Sequence, residues 1–327
     1  MKTNHLTIKK WVLAVAVVAM GWTVTSCGSS GTEGSDVAPG EMESTTPMTP
    51  ESQDGMVQSA APDAGVDLPW EPLGDDADAG MIAATSATVY RLNRAEGNRV
   101  EAWVDGDNVW EVVGNPANAI YAAGDNLYAI GTDQSLWYYK GSPQQWEPRG
   151  AGPAKAVYGF ANDYYISTDN ESFMWLPDPD NRWEPMWPNT KFILETDMTF
   201  MVGTDGQGHV MDGATDGTMG GGLEMLAGTA EATWGLFSGG MVQYYTGTAP
   251  DWGDHWGNAG SKTMSMIAGT ESRRLLGINS ETMEVEILEN ATQTWVSTGP
   301  QLGEKIYAAR NVVYVLDNGT VSRVTVE

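Results

Sequence analysis

From about residue 65 onward, apolar and polar residues alternate in short runs that are interrupted at regular intervals. Between 119 and 149 the alternation predicts four strands, at 119–123, 127–131, 136–139 and 145–149. A period of two marks a strand with one buried face, and Asp, Asn and Gly between runs tolerate the positive φ of tight hairpins. One turn signal recurs: Thr132-Asp133, Thr168-Asp169 and Thr204-Asp205, each preceded by Gly or Ser, lie 36 residues apart. Ala95-Glu96-Gly97, Ser238-Gly239-Gly240, Asn279-Ser280-Glu281 and Asp317-Asn318-Gly319 hold the equivalent place elsewhere.

The last strand of each set carries a second marker. Trp146-Glu147-Pro148-Arg149-Gly150 is matched by Trp70-Glu71-Pro72-Leu73-Gly74, Trp110-Glu111-Val112-Val113-Gly114 and Trp183-Glu184-Pro185-Met186-Trp187. Weaker copies begin at Trp256 and Trp295, and between Trp183 and Trp256 a degenerate copy runs from Leu223 to Gly228. The mean spacing is 37.5 residues. A repeat of that length is one supersecondary unit that needs its neighbours to bury a core. Four short strands per unit, joined by tight turns, predict the blades of an all-β propeller.

Proline has no N–H for the ladder, so Pro72, Pro148 and Pro185 place the Trp strand at the outer rim. The strand after it, as in Ile120-Tyr121-Ala122, Val157-Tyr158-Gly159 and Ile306-Tyr307-Ala308, then lines the central channel. The rim Trp wedges between neighbouring blades, burying on the order of 200 Å². Seven Trp-type markers and seven turn markers predict seven four-stranded blades, with six or eight left open by the degenerate unit. Only three strands follow Gly299, at 305–309, 312–316 and 320–326. The fourth would come from 67–73, closing the ring and removing its exposed edges.

Composition agrees with an all-β chain: 41% of residues are hydrophobic, with 14 Trp and 39 Gly. The formal net charge is −26, or −29 once Lys2, Lys9 and Lys10 are removed with a signal segment. So acidic a surface repels nucleic acid and anionic headgroups.

The first 26 residues read as a secretory signal: three lysines, the apolar run 11–22, then Val24-Thr25-Ser26 before Cys27. This end resembles a bacterial lipobox, with Val24 where Leu is usual. The resemblance implies a lipid-modified Cys27, a membrane anchor, and, from Gly28 in place of Asp, an outer-membrane address. Residues 27–64 are mostly Gly, Ser, Thr, Pro, Ala and acids, with no aromatic residue. They predict a disordered tether about 35 Å in reach. Residues 65–327 form the repeat domain, expected to be monomeric.

The Trp-x-x-x-Gly ending, the inner Ile-Tyr-Ala strand and the Gly-Thr-Asp hairpin resemble tectonin or tachylectin-type propeller repeats, and less closely kelch repeats, over 67–327. The resemblance implies the propeller fold and a carbohydrate-binding ancestry, although no sugar-binding motif is matched residue by residue.

Catalytic and metal motifs are sparse. His209 and His255 are the histidines outside the signal, and no His-x-x-x-His, Gly-x-Ser-x-Gly or phosphate loop occurs. Asp-rich turns between Asp205 and Asp216 lack EF-hand spacing, and the methionines read as core fillers. No cofactor, bound metal or catalytic residue is expected. Two loops carry aromatics and acids beyond what the repeat requires. Trp175, Asp178, Asp180 and Trp187 flank the first, and Tyr244, Tyr245, Trp252, Asp254 and His255 the second. Aromatic faces beside Asp and Asn suit sugar stacking and protein hot spots alike, and Trp and Tyr packed between blades is the structural alternative. The expectation is a membrane-anchored binding module for a glycan or protein at the bacterial envelope. A scaffold subunit of an envelope assembly is the alternative, ahead of a hydrolase or lyase.

Overall fold

The computed structural model describes residues 65–327 apart from 75, 151–152, 160–161, 177–181, 197, 213–214, 249–250 and the Asp212 side chain. Cys27, the signal segment and the tether therefore lie outside the described residues, as do Asp178 and Asp180.

The domain is an all-β propeller. In chain order its strands are β1 (Glu71–Pro72), β2–β4 (Ala79–Ala84, Val89–Asn93, Arg99–Val104), the long β5 (Val109–Ala123), and β6–β8 (Asn126–Gly131, Leu136–Tyr139, Trp146–Pro148). There follow β9–β12 (Ala154–Gly159, Asp163–Ser167, Ser172–Leu176, Arg182–Pro185) and β13–β16 (Thr190–Glu195, Thr199–Gly203, Gly208–Asp212, Thr215–Gly220). The chain then forms β17–β20 (Leu223–Gly228, Thr233–Phe237, Val242–Tyr245, Trp256–Asn258), β21–β24 (Met264–Gly269, Leu275–Asn279, Glu284–Glu289, Thr294–Leu302) and β25–β27 (Lys305–Ala309, Val312–Asp317, Thr320–Thr325).

Each set β9–β12, β13–β16, β17–β20 and β21–β24 is an antiparallel four-stranded sheet in sequence order. A fifth has the order β1-β27-β26-β25, so the N-terminal strand completes a sheet begun by the last three. β2–β8 form one seven-stranded sheet, in which β5 changes partner midway. Its first half, to Pro116, pairs with β4, and from Ala117 onward it pairs with β6. The strands β2, β5, β9, β13, β17, β21 and β25 neighbour one another in that order, and β25 returns to β2. Each carries one fully buried aliphatic at the same register: Ile82, Ile120, Val157, Ile193, Leu226, Ile267 and Ile306. The Pro-bearing strands β1, β8 and β12 lie at sheet edges, where a missing N–H breaks no ladder bond.

The tryptophans reveal what joins one unit to the next. Each outer-strand indole donates to the outer strand one unit earlier, three residues past that strand's own Trp. Trp110 Nε1 bonds Leu73 O (3.1 Å), Trp146 bonds Val113 O (2.9 Å), and Trp183 bonds Arg149 O. Trp295 Nε1 bonds Ala259 O (2.8 Å), and Trp70 Nε1 bonds Thr298 Oγ1 (3.3 Å), which carries the pattern across the chain ends. At Gly74, Gly114 and Gly260 the Gly of Trp-x-x-x-Gly is where the next indole lands. A Cβ on Gly114 would sit 2.9 Å from Trp146 Nε1, and one on Gly260 2.8 Å from Trp295 Cδ1.

One unit breaks the pattern, and the structure corrects its expected place. Leu223–Gly228 is the inner strand β17, not an outer copy. Its Leu-Glu-Met-Leu-Ala-Gly sequence belongs with Met264–Gly269, Met-Ser-Met-Ile-Ala-Gly, the inner strand β21. The true outer strand is β16, where Asp216 faces Met211 in the register that pairs Trp183 with Trp175 and Trp256 with Tyr245. Asp216 thus stands where the indole is lost. The preceding unit has compensated, since Trp187 replaces the receiving Gly. Trp187 packs on the buried cluster of Tyr164, Ile166, Ile193 and Met201, which spans β9–β12 and β13–β16. The seam is filled from the opposite side.

Candidate functional site

In a repeat protein, residues required by every unit are explained by the fold. Residues that depart from the repeat at equivalent positions are the informative ones. Three residues past the outer Trp the chain places Leu73, Val113, Met186, Met219, Ala259 and Thr298, but Arg149 in one unit. At the first position of the second strand it places Val89, Thr199, Thr233, Leu275 and Val312, but Asn126 and Asp163 in adjacent units. These exceptions converge. Together with Tyr128, Tyr138, Asn162 and Trp175 they line a cleft of about 320 Å³ between β5–β8 and β9–β12.

The geometry there is specific. The Arg149 guanidinium carbon lies 4.6 Å from the Tyr138 ring centre and 4.4 Å from that of Trp175. Its side chain is 15% exposed, and its nearest ion-pair partner, Glu147 Oε1, is 3.9 Å from Nε. That Nε is buried without a hydrogen-bond partner among the described residues. Opposite it, buried Asp163 accepts from Asn126 Nδ2 (3.0 and 3.3 Å) and from the Tyr128 hydroxyl. Tyr138 OH donates to Asn126 Oδ1 at 3.4 Å, and Asn162 Nδ2 donates to Glu195 Oε1 at 2.6 Å. The site therefore holds a desolvated cation between aromatic faces, beside a carboxyl and two amides.

Burial is the main reason the Asp163 carboxyl is held above the ordinary aspartate value. The hydrogen bonds from Tyr128 and Asn126 and the Arg149 charge pull it down, and Glu195 pushes it further up. An acid with a raised folded pKa keeps its proton where the unfolded chain has lost it. Its contribution to stability is thus present below about pH 3.8 and disappears as pH rises through the folded value. Wild type should therefore lose stability relative to Asp163→Asn over that interval, as read by thermal melts across pH. Parallel pH profiles for the two chains would contradict this reading.

A second cavity, about 530 Å³, lies beside Arg91, Glu101, Trp103 and Trp110. Arg91 also lies over an indole, 4.4 Å from the Trp110 ring centre, but its donors are used. Nε bonds Glu101 Oε2 and Nη2 bonds Asp76 Oδ2, both at 2.8 Å.

Of the residues the sequence singled out, Trp175 lines the cleft. Its ring is also edge-on to Trp183 at 5.0 Å, a contact repeated by Trp103 with Trp110 at 5.2 Å. Trp187 stacks with Tyr164 in the next seam, 6.4 Å between centroids. Tyr244, Tyr245, Trp252, Asp254 and His255 gather on a different sheet, around β19 and β20. Tyr244 is edge-on to Trp234, Tyr245 OH donates to the Trp252 carbonyl, and Trp252 is 5% exposed against Phe200, Val210 and Met219. Asp254 and His255 are exposed, and His255 pairs with Asp251 at 3.4 Å. Sequence reasoning missed Asn126, Tyr128, Tyr138, Arg149, Asn162 and Asp163. The available signal was each departure from the repeat at aligned positions. Among the described residues, no three His, Cys, Asp or Glu side chains gather to hold a metal ion. No helix among them is long and apolar enough to cross a membrane.

No protein-family model and no curated protein matches the chain. Solved structures do resemble it. YCF48 from Cyanidioschyzon merolae aligns with a TM-score of 0.58 at 10% identity, over 78% of this chain and 98% of that one. A structure of YCF48 bound to D1 peptide aligns at 0.60 and 13%, over 81% and 100%. A streptogramin B lyase aligns at 0.57 and 9%, over 79% and 97%. At such identities the likeness is one of fold, and the fold is a β-propeller.

Proposed function

We propose that this chain is a membrane-anchored extracytoplasmic binding module of the bacterial envelope, which holds a glycan or protein in the cleft around Arg149. The carrying observation is that Asn126, Arg149 and Asp163, three departures from the repeat, meet in one cleft that the fold itself does not require. We read the ring as seven blades of tectonin-like repeats from residue 65 onward. The seven-stranded sheet then counts as two blades sharing β5, and β1 closes the seventh. Lipidated Cys27 and the 28–64 spacer would carry this ring away from an outer membrane. Propellers of this shape hold peptides, as the YCF48 complex with D1 peptide illustrates, and also host chemistry, as in the streptogramin B lyase. Binding is favoured over catalysis because Asp163, the buried acid of the cleft, is committed to Tyr128 and Asn126. The exposed Val109 and Val112 on the outer strand support the second reading, a scaffold subunit docked through its rim.

The test is a glycan array and an envelope-protein pull-down with the full chain, repeated with Arg149→Ala and Trp175→Ala. Each variant should weaken capture of whatever the wild type retains by at least about tenfold, the loss of one charge-assisted contact. Capture unaffected by both substitutions would place the ligand elsewhere. The anchor is tested separately. Cys27→Ser should abolish fatty-acid labelling and membrane retention, and undiminished labelling would remove the lipid from the account.

A further inference from the structure

Within the cleft reading, on which this inference rests, we propose that the occupant is an acidic sugar, a hexuronic acid residue whose carboxylate seats on the edge of the Arg149 guanidinium. The chain supplies its own control. Arg91 and Arg149 are both desolvated and both lie over an indole, at the same 4.4 Å. Arg91 is completed by two carboxylates of the chain, Asp76 and Glu101. Among the described residues Arg149 has one ion-pair contact, Glu147 at 3.9 Å, beyond hydrogen-bond reach, and Glu147 bonds Lys140 Nζ at 3.1 Å instead. A planar guanidinium with aromatic rings against it presents its edge N–H groups, and the acceptor matching that edge is a carboxylate in bidentate contact. At Arg91 the protein provides that carboxylate. At Arg149 the ligand would.

The remaining lining selects a sugar over a peptide terminus. Asn126, Asn162, Asp163 and the tyrosines offer amide, carboxyl and hydroxyl groups suited to ring hydroxyls. Among the described residues no aliphatic side chain lines the cleft, which leaves a peptide's C-terminal side chain without an aliphatic slot there. About 320 Å³ is at the small end of ligand pockets and suits one sugar ring. Arg149 is the single cation among the described lining residues of a chain at −26, so attraction is confined to one carboxylate.

Calorimetric titration of the full chain with trisaccharides of galacturonate and glucuronate, and with their carboxyl-reduced neutral counterparts, tests this. At least one uronate should bind, and its neutral counterpart at least tenfold more weakly. Arg149→Lys, which keeps the charge but loses the fork, should weaken the uronate at least tenfold and narrow its advantage over the neutral sugar. Equal binding of acidic and neutral sugars, an unaffected Arg149→Lys, or tighter binding of a tripeptide with a free C-terminus would overturn the proposal. If neither uronate binds while Trp175→Ala abolishes capture of another envelope ligand, the cleft reading survives and this inference falls. If uronates bind with Arg149 and Trp175 both dispensable, the cleft reading falls as well.

Discussion

A chain lacking residues 65–74 should unfold or aggregate. β1 is only two residues long, yet it joins the two ends of the molecule. Glu71 and Pro72 pair with Arg323 and Ser322, and Leu73 N bonds Val321 O at 2.7 Å. Leu73 is 1% exposed in a core shared with Ala79, Trp103 and Tyr314, while Trp70 packs against the cluster of Ile306 and Val324. Arg323 Nε adds a contact to Glu71 Oε2 at 2.9 Å. Losing a buried Leu costs about 2–5 kcal/mol, and the half-buried Trp70 adds part of the about 3–5 kcal/mol that a core Trp is worth. A domain's whole stability is about 5–15 kcal/mol, so the two losses alone consume a large share of it. The deletion also strips the partner from β27 and leaves a bare edge, which invites association. Thermal melts and light scattering read the outcome. A melting temperature within a few degrees of wild type would show that the ends do not close the ring.

The second large effect belongs to the compensated seam. Trp187→Gly should cost about 3–5 kcal/mol, because it empties the space Trp187 fills without supplying the indole that other seams receive. Asp216→Trp alone should also destabilise, since two indoles would compete for one space, at about 1–3 kcal/mol for overpacking. Together the two changes restore the arrangement of the other seams, with an indole on β16 and a Gly to receive it. The double variant should therefore be more stable than Trp187→Gly, and the coupling should exceed about 1 kcal/mol. Denaturant melts of the four chains measure it. Strict additivity would mean that Trp187 and Asp216 do not exchange roles.

The strands were legible because the physics that forms them is local. Period-two alternation from 119 to 149, the Thr-Asp turns and the prolines of β8 and β12 each constrain a few neighbouring residues. Gln134 and Asn170, one past the Asp of two such turns, do take φ of 67° and 62°. The fourth unit was misplaced because Leu223–Gly228 satisfies a pattern match to the outer strand while its Ala-Gly ending suits an inner one. Only strand pairing separates the two. Aromatic residues stand out as candidate ligand contacts, but the sheets use several of them in their own packing, as the cross-strand Trp175–Trp183 and Tyr245–Trp256 pairs show. Arg149 stood within the clearest motif and passed as one more repeat residue. Its meaning depends on Tyr138, Trp175 and Asp163, which the sequence separates and the seam between two sheets brings together.

Whether ligand enters at the Arg149 cleft is read by site-directed photo-cross-linking in the cell that makes the protein. A benzophenone amino acid replaces Asn162, exposed at the cleft lip, or Met241, 54% exposed in the β18–β19 hairpin of another sheet. Entry at the cleft should give a discrete adduct from position 162 that disappears in the Arg149→Ala background, and none from position 241. Adducts of equal yield from both positions, or from 241 alone, would contradict it.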